Sequence, residues 1–83
     1  MHSDLHKHIV ELVVNYIEQV TGYRPTQADY TKPLNTFGLT SVQGMLLVGE
    51  LEDEFSIDLP HDLLLGKDSL SAFCLRIEEL AKG

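Results

Sequence analysis

Few residues in this chain stand where they could do chemistry, and each has a competing structural use. Three histidines, His2, His6 and His8, crowd the N-terminus. His2 and His6 have i, i+4 spacing, at which two imidazoles on one helical face can share a metal ion. A closed zinc site needs about four Cys or His ligands, and chain ends commonly fray, so these histidines are read as exposed and metal-free. The single cysteine, Cys74, lies on an apolar helical stripe with no His or cation beside it. It reads as a small buried hydrophobe and not as a nucleophile. Glu52, Asp53 and Glu54 are consecutive carboxylates. Paired acids serve acid–base chemistry when their surroundings perturb their pKa values, but a run at an exposed helix end is ordinarily solvated. Ser41 and Ser69 each precede an apolar helical run, where a serine hydroxyl ordinarily caps the helix. No catalytic triad, metal cluster, phosphate-binding loop or calcium loop supports an enzyme.

The elements that must position these residues are helices. A first helix begins near Ser3 or Asp4, either of which can cap it. Its stripe of Leu5, Ile9, Leu12, Val13, Tyr16, Ile17 and Val20 follows one helical face. Gly22 suits the left-handed position that ends a helix. The following loop, Tyr23 to about Thr40, contains Pro25, Pro33, Asn35 and Gly38. Loops this long are often functional or pinned by their own side chains, here Leu34, Phe37 and Leu39. Tyr16, Tyr23 and Tyr30 are packing residues or loop anchors. A second helix is expected from about Ser41 to Phe55, capped by Thr40 or Ser41, with a turn over Ser56–Leu59 before Pro60. A short helical turn is expected around Asp62–Leu65, ending at Gly66. A last helix runs from a Ser69 cap to about Ala81 with the stripe Leu70, Phe73, Cys74, Ile77, Leu80 and Ala81. Three long helices and a short third one make a small all-α four-helix bundle, a single domain over residues 1–83.

Composition narrows the partners. The net charge is −7, from 13 acidic and 6 basic residues. That excludes the basic footprint on which nucleic-acid binding depends. Between Pro33 and Gly66 there is no Lys or Arg, while Glu50, Glu52, Asp53, Glu54, Asp58 and Asp62 fall there. A one-sign surface of this kind suits partners with basic patches. One cysteine forms no internal disulfide, no apolar run approaches the ~20 residues of a membrane span, and the polar N-terminus lacks a signal-peptide core. A cytoplasmic monomer is expected, with no membrane contact.

The second helix carries too much apolar surface for its position. Counted at about 100° per residue, Leu47, Val48, Leu51 and Phe55 fall in one sector and face the core. Val42, Met45, Leu46 and Gly49 fall on the opposite side, continued by Glu52 and Asp53. A domain this small cannot bury a helix on all sides, so an exposed apolar patch flanked by acids is expected near Ser41, as at a docking site. The competing reading is that the long loop folds over it.

Phe37-Gly38-Leu39-Thr40-Ser41-Val42, followed by Leu51-Glu52-Asp53-Glu54-Phe55-Ser56-Ile57-Asp58-Leu59-Pro60, resembles the acyl and peptidyl carrier protein family. In that family an acceptor serine opens the second helix after a Gly-x-Asp-Ser-Leu signature, and an acidic helix ending precedes a short extended run to a proline. The resemblance spans the whole chain. It implies that Ser41 bears a covalent 4′-phosphopantetheine arm derived from coenzyme A. A helix N-terminus favours an attached phosphodiester, and a phosphopantetheinyl transferase supplies the catalysis and the metal. The chain is then a stand-alone, non-catalytic acyl carrier protein that holds acyl, aminoacyl or polyketide groups as thioesters. Val42, Met45, Leu46, Gly49, Glu52 and Asp53 would dock acyl-activating, condensing or acyl-transfer enzymes through their basic patches. The alternative is an unmodified carrier-like helical module acting as a structural or regulatory subunit.

Gly66-Lys67-Asp68-Ser69-Leu70 contains the literal Asp-Ser-Leu, whereas the Ser41 site reads Thr-Ser-Val. Too few residues follow Ser69 for the acidic helix and two further helices, so Ser69 is read as a helix cap. Thr40 in place of the usual aspartate, Val42 in place of leucine and the small Gly49 bear on which transferase and which partners recognise the site. The Gly-Leu-Thr-Ser form is similar to carriers of polyketide and nonribosomal peptide assembly.

Overall fold

The computed structural model describes residues 4–60 and 68–82. Among them run three α-helices, here α1 (Asp4–Thr21), α2 (Ser41–Phe55) and α3 (Leu70–Lys82). No strand is present among the described residues, and the fold is small and all-α. The short helix expected around Asp62–Leu65 lies outside the described residues.

Each helix buries the stripe that its sequence marks. Ile9, Val13 and Ile17 of α1, Leu47 and Leu51 of α2, and Phe73, Cys74 and Ile77 of α3 are essentially inaccessible. Phe37 and Leu59 close the core from the connecting segments, and Leu5, Leu12, Val20, Val48 and Phe55 pack around it half-buried. Leu80 was expected in the core but is 38% exposed. It stands in the last turn of α3. Val14, absent from the expected stripe, is buried beside Val13 because the apolar face of α1 is wide.

His6 departs from the sequence reading. The helix is regular from Asp4, so His6 falls three residues before Ile9 on the inward face and is buried instead of frayed. Its Nδ1 lies 2.9 Å from Glu78 Oε1 on α3. Lys82, 3.0 Å from the other Glu78 oxygen, and then His6 hold the Glu78 carboxyl below its usual range. His8 stays exposed and meets α2, pairing with Glu54 at 3.1 Å and setting its ring edge-on to Phe55.

The long loop is organised by one carboxylate. Gly22 takes the left-handed conformation, with φ of 82°, and ends α1 as the sequence implies. Two 3₁₀ turns follow, Gln27–Asp29 and Leu34–Phe37. Asp29 is buried at the first. It accepts from the Thr26 N–H (2.9 Å), the Thr26 hydroxyl (3.1 Å) and the Tyr23 hydroxyl, and pairs with Lys32 at 3.0 Å. The Thr26 amide, then Tyr23 and Lys32, hold the Asp29 carboxyl far below the ordinary aspartate range. Tyr23 stacks on Phe37 with centroids 6.3 Å apart, and the core anchors Phe37, Leu34 and Leu39 are those the sequence marks. The loop then delivers its carbonyls to α3. Tyr30 and Lys32 accept from Ser71 and Leu70 at 2.9 and 3.0 Å, which fastens the loop across the start of that helix.

Candidate functional site

The two serines compete for one role, and the structure separates them. At α3 the Ser69 hydroxyl accepts from the Ala72 N–H at 3.1 Å. The next two amides, Leu70 and Ser71, go to the loop carbonyls just described. The first turn of α3 is therefore saturated, and Ser69 is a working cap.

At α2 the cap is Thr40. Its hydroxyl accepts from Gln43 N–H at 3.1 Å, and the Gln43 side chain returns to Thr40 N–H at 3.0 Å. This reciprocal box is the Thr-x-x-Gln pattern of the sequence. Ser41 is left as the first helical residue. It is exposed, and its hydroxyl has no hydrogen-bond partner among the described residues. The first intrahelical bond runs from Gly44 N–H to Thr40 C=O, so the Ser41 and Val42 amides precede any intrahelical acceptor. A free hydroxyl therefore stands beside free amides at the positive end of a helix dipole. That donor set fits a phosphodiester attached at Ser41 Oγ.

The apolar side of α2 is open. Val42 and Met45 are each 66% exposed and Leu46 is 59% exposed, so the loop does not cover them. A Cβ added at Gly49 would meet nothing within 4 Å, which extends the same open face. Asp53 is exposed, as are Glu50 and Glu54. Glu52 is different: it is half-buried, and its carboxylate accepts from Leu59 N–H at 2.9 Å. Together with the left-handed Ser56 (φ 53°), which ends α2, that bond folds the chain back after the helix. Glu52 therefore fixes the turn below the acidic end as well as contributing charge to it.

Two polar roles near this region, one of an unmarked residue and one of a residue marked only for packing, were not read from the sequence. Asp29 has the first, although Thr26-x-x-Asp29 has capping-box spacing and could have flagged it. The other role belongs to Tyr16, whose buried hydroxyl donates to the Gln43 carbonyl at 2.7 Å. No local sequence pattern announces a bond between residues so far apart. Cys74 is fully buried, and burial pushes its thiol up to about 12, which removes it from nucleophilic chemistry. Among the described residues, no group of three or more His, Cys, Asp or Glu gathers to hold a metal ion. No described helix is long and apolar enough to cross a membrane.

Fold and site together define a class: a small helical domain in which the first turn of one helix is exposed. Residues 11–77 match the family described as "Phosphopantetheine attachment site", and the chain belongs to that family. It is thus a carrier domain that attaches 4′-phosphopantetheine covalently and is not itself an enzyme. No curated protein and no solved structure matches the chain.

Proposed function

We propose that Ser41 carries the arm. One observation bears most of the weight: of the two candidate serines, Ser69 uses its hydroxyl to cap a saturated helix, whereas Thr40 caps α2 and leaves Ser41 Oγ free. The arm supplies a terminal thiol that holds acyl groups as thioesters. The chain's own work is presentation. The Thr40–Gln43 box fixes the turn, the amides of Ser41 and Val42 face the phosphodiester position, and the dipole favours its negative charge. Removal of the serine proton falls to the modifying transferase. Tethering then raises the concentration of the bound acyl group at whichever enzyme docks the domain.

Val42, Met45, Leu46 and Gly49 form the apolar part of the proposed docking face, with Asp53 and the half-buried Glu52 supplying charge. Partners are a phosphopantetheinyl transferase and acyl-activating, condensing or acyl-transfer enzymes with basic patches. The Gly38-Leu39-Thr40-Ser41 form supports a place in polyketide or nonribosomal peptide assembly.

The test is intact mass after incubation with a broad-specificity transferase and coenzyme A. Wild type and Ser69→Ala should each gain one arm, and Ser41→Ala should gain none. Loss of the gain in Ser69→Ala, with Ser41→Ala modified normally, would move the site to Ser69. No gain in any of the three, alongside stable complexes with partner enzymes, would favour an unmodified interaction module.

A further inference from the structure

We propose that Tyr16 is a positioning residue for the modification of Ser41, acting through the first turn of α2. The inference rests on the assignment of Ser41 as the acceptor.

Tyr16 lies on the core stripe of α1 and is only 7% exposed. For packing alone a phenylalanine would serve there. The hydroxyl instead crosses to α2 and donates to Gln43 C=O at 2.7 Å. Gln43 C=O is in the first turn of a regular helix, where it already has the amide four residues on as a donor. A second donor is not needed to satisfy it. The bond's effect is to tie α1 to that turn.

Gln43 is where the constraints on the turn meet. Its amide goes to Thr40 Oγ1, its side chain returns to the Thr40 amide, and its carbonyl receives Tyr16. The box closes the turn from within but makes no bond to α1, and the His8 contacts to Glu54 and Phe55 hold only the far end of α2. Tyr16 supplies the outside reference. The same turn carries Ser41 and opens the face of Val42, Met45 and Leu46, all exposed. A transferase must meet the hydroxyl and that face together. If α2 rolls, only a fraction of molecules presents both in register, and apparent affinity falls by that fraction. The chemical step in the bound complex is unaffected.

The experiment is steady-state kinetics of modification for wild type, Tyr16→Phe and Ile77→Val, well below their melting temperatures. Tyr16→Phe keeps the ring and removes only the hydroxyl. Ile77→Val deletes one methylene from a fully buried site on α3 and controls for lost stability. The expected result is a KM for the carrier raised about three- to tenfold in Tyr16→Phe, the range of one ordinary hydrogen bond. Its kcat should stay within about twofold of wild type, and Ile77→Val should match wild type in both parameters. A wild-type KM in Tyr16→Phe would overturn the proposal and leave Ser41 as acceptor. An equal rise in Ile77→Val would also overturn it, by reducing the effect to stability. A wild type that is not modified at Ser41 would overturn both readings at once.

Discussion

Asp29 shows how one side chain can organise a long loop. Four donors converge on it, and they hold its carboxyl ionised well below the ordinary aspartate range. A carboxylate whose pKa falls on folding adds stability above its unfolded pKa and loses it as pH drops through the folded value. The wild type should therefore melt higher than Asp29→Asn at neutral pH, and the gap should shrink as pH is lowered from about 4 toward 2. Thermal melts of both proteins across that range check this, and a constant gap would contradict it. The glycine, the prolines and the anchors of this loop could be read from sequence because they act locally. Asp29 could have been read from its three-residue spacing to Thr26. His6 could not be read by hydrophobicity, since its burial follows from helical register with Ile9 and from Glu78, far along the chain. Tyr16 was legible as a core residue, but the target of its hydroxyl was not.

Among the elements, α2 was the most legible, and its bounds match those read from its cap and its stop. Thr40 with Gln43 sets the start, and the left-handed Ser56 sets the end. The angular count also placed its two faces correctly, with Leu47 and Leu51 buried and Val42, Met45 and Leu46 outside. The count could not assign the cap between Thr40 and Ser41, because either hydroxyl can serve. That choice depends on three-dimensional closure of the box, and the role proposed for Ser41 depends on it. Gly49 offers a test of the exposed face. It is helical, its φ is ordinary, and an added Cβ meets nothing. Gly49→Ala should therefore stabilise the domain by about 0.5–1 kcal/mol, since glycine costs that much inside a helix. Chemical denaturation should show a higher midpoint at unchanged slope. A loss of stability would mean that the Gly49 face is packed against something and is not available for docking.

Over the whole molecule, the described cations are kept away from one helix. The described cations, Lys7, Arg24, Lys32, Arg76 and Lys82, lie on α1, the loop and α3, and α2 has none. A face with this bias speeds encounter with basic surfaces at low ionic strength and loses the advantage when salt screens it. For the transferase reaction, kcat/KM should fall roughly tenfold between about 0.05 M and 0.5 M salt, mostly through KM. A flat salt profile would reduce the acidic face to a solubilising surface. Family membership was legible from the motif region, because the signature and the acidic ending lie at the two ends of one helix, close together in sequence, and the all-α class was legible from the helical stripes. The choice between two serines was not carried by the motif, whose literal form sits at Ser69; chain order argued for Ser41, and the hydrogen bonds supply independent support. The most direct measurement is fragment-ion localisation of the phosphodiester in wild-type protein loaded with a single arm. Fragments spanning Thr40–Gln43 should carry the added mass, and those spanning Asp68–Ala72 should not. Mass on Ser69, with Ser41 bare, would contradict the account.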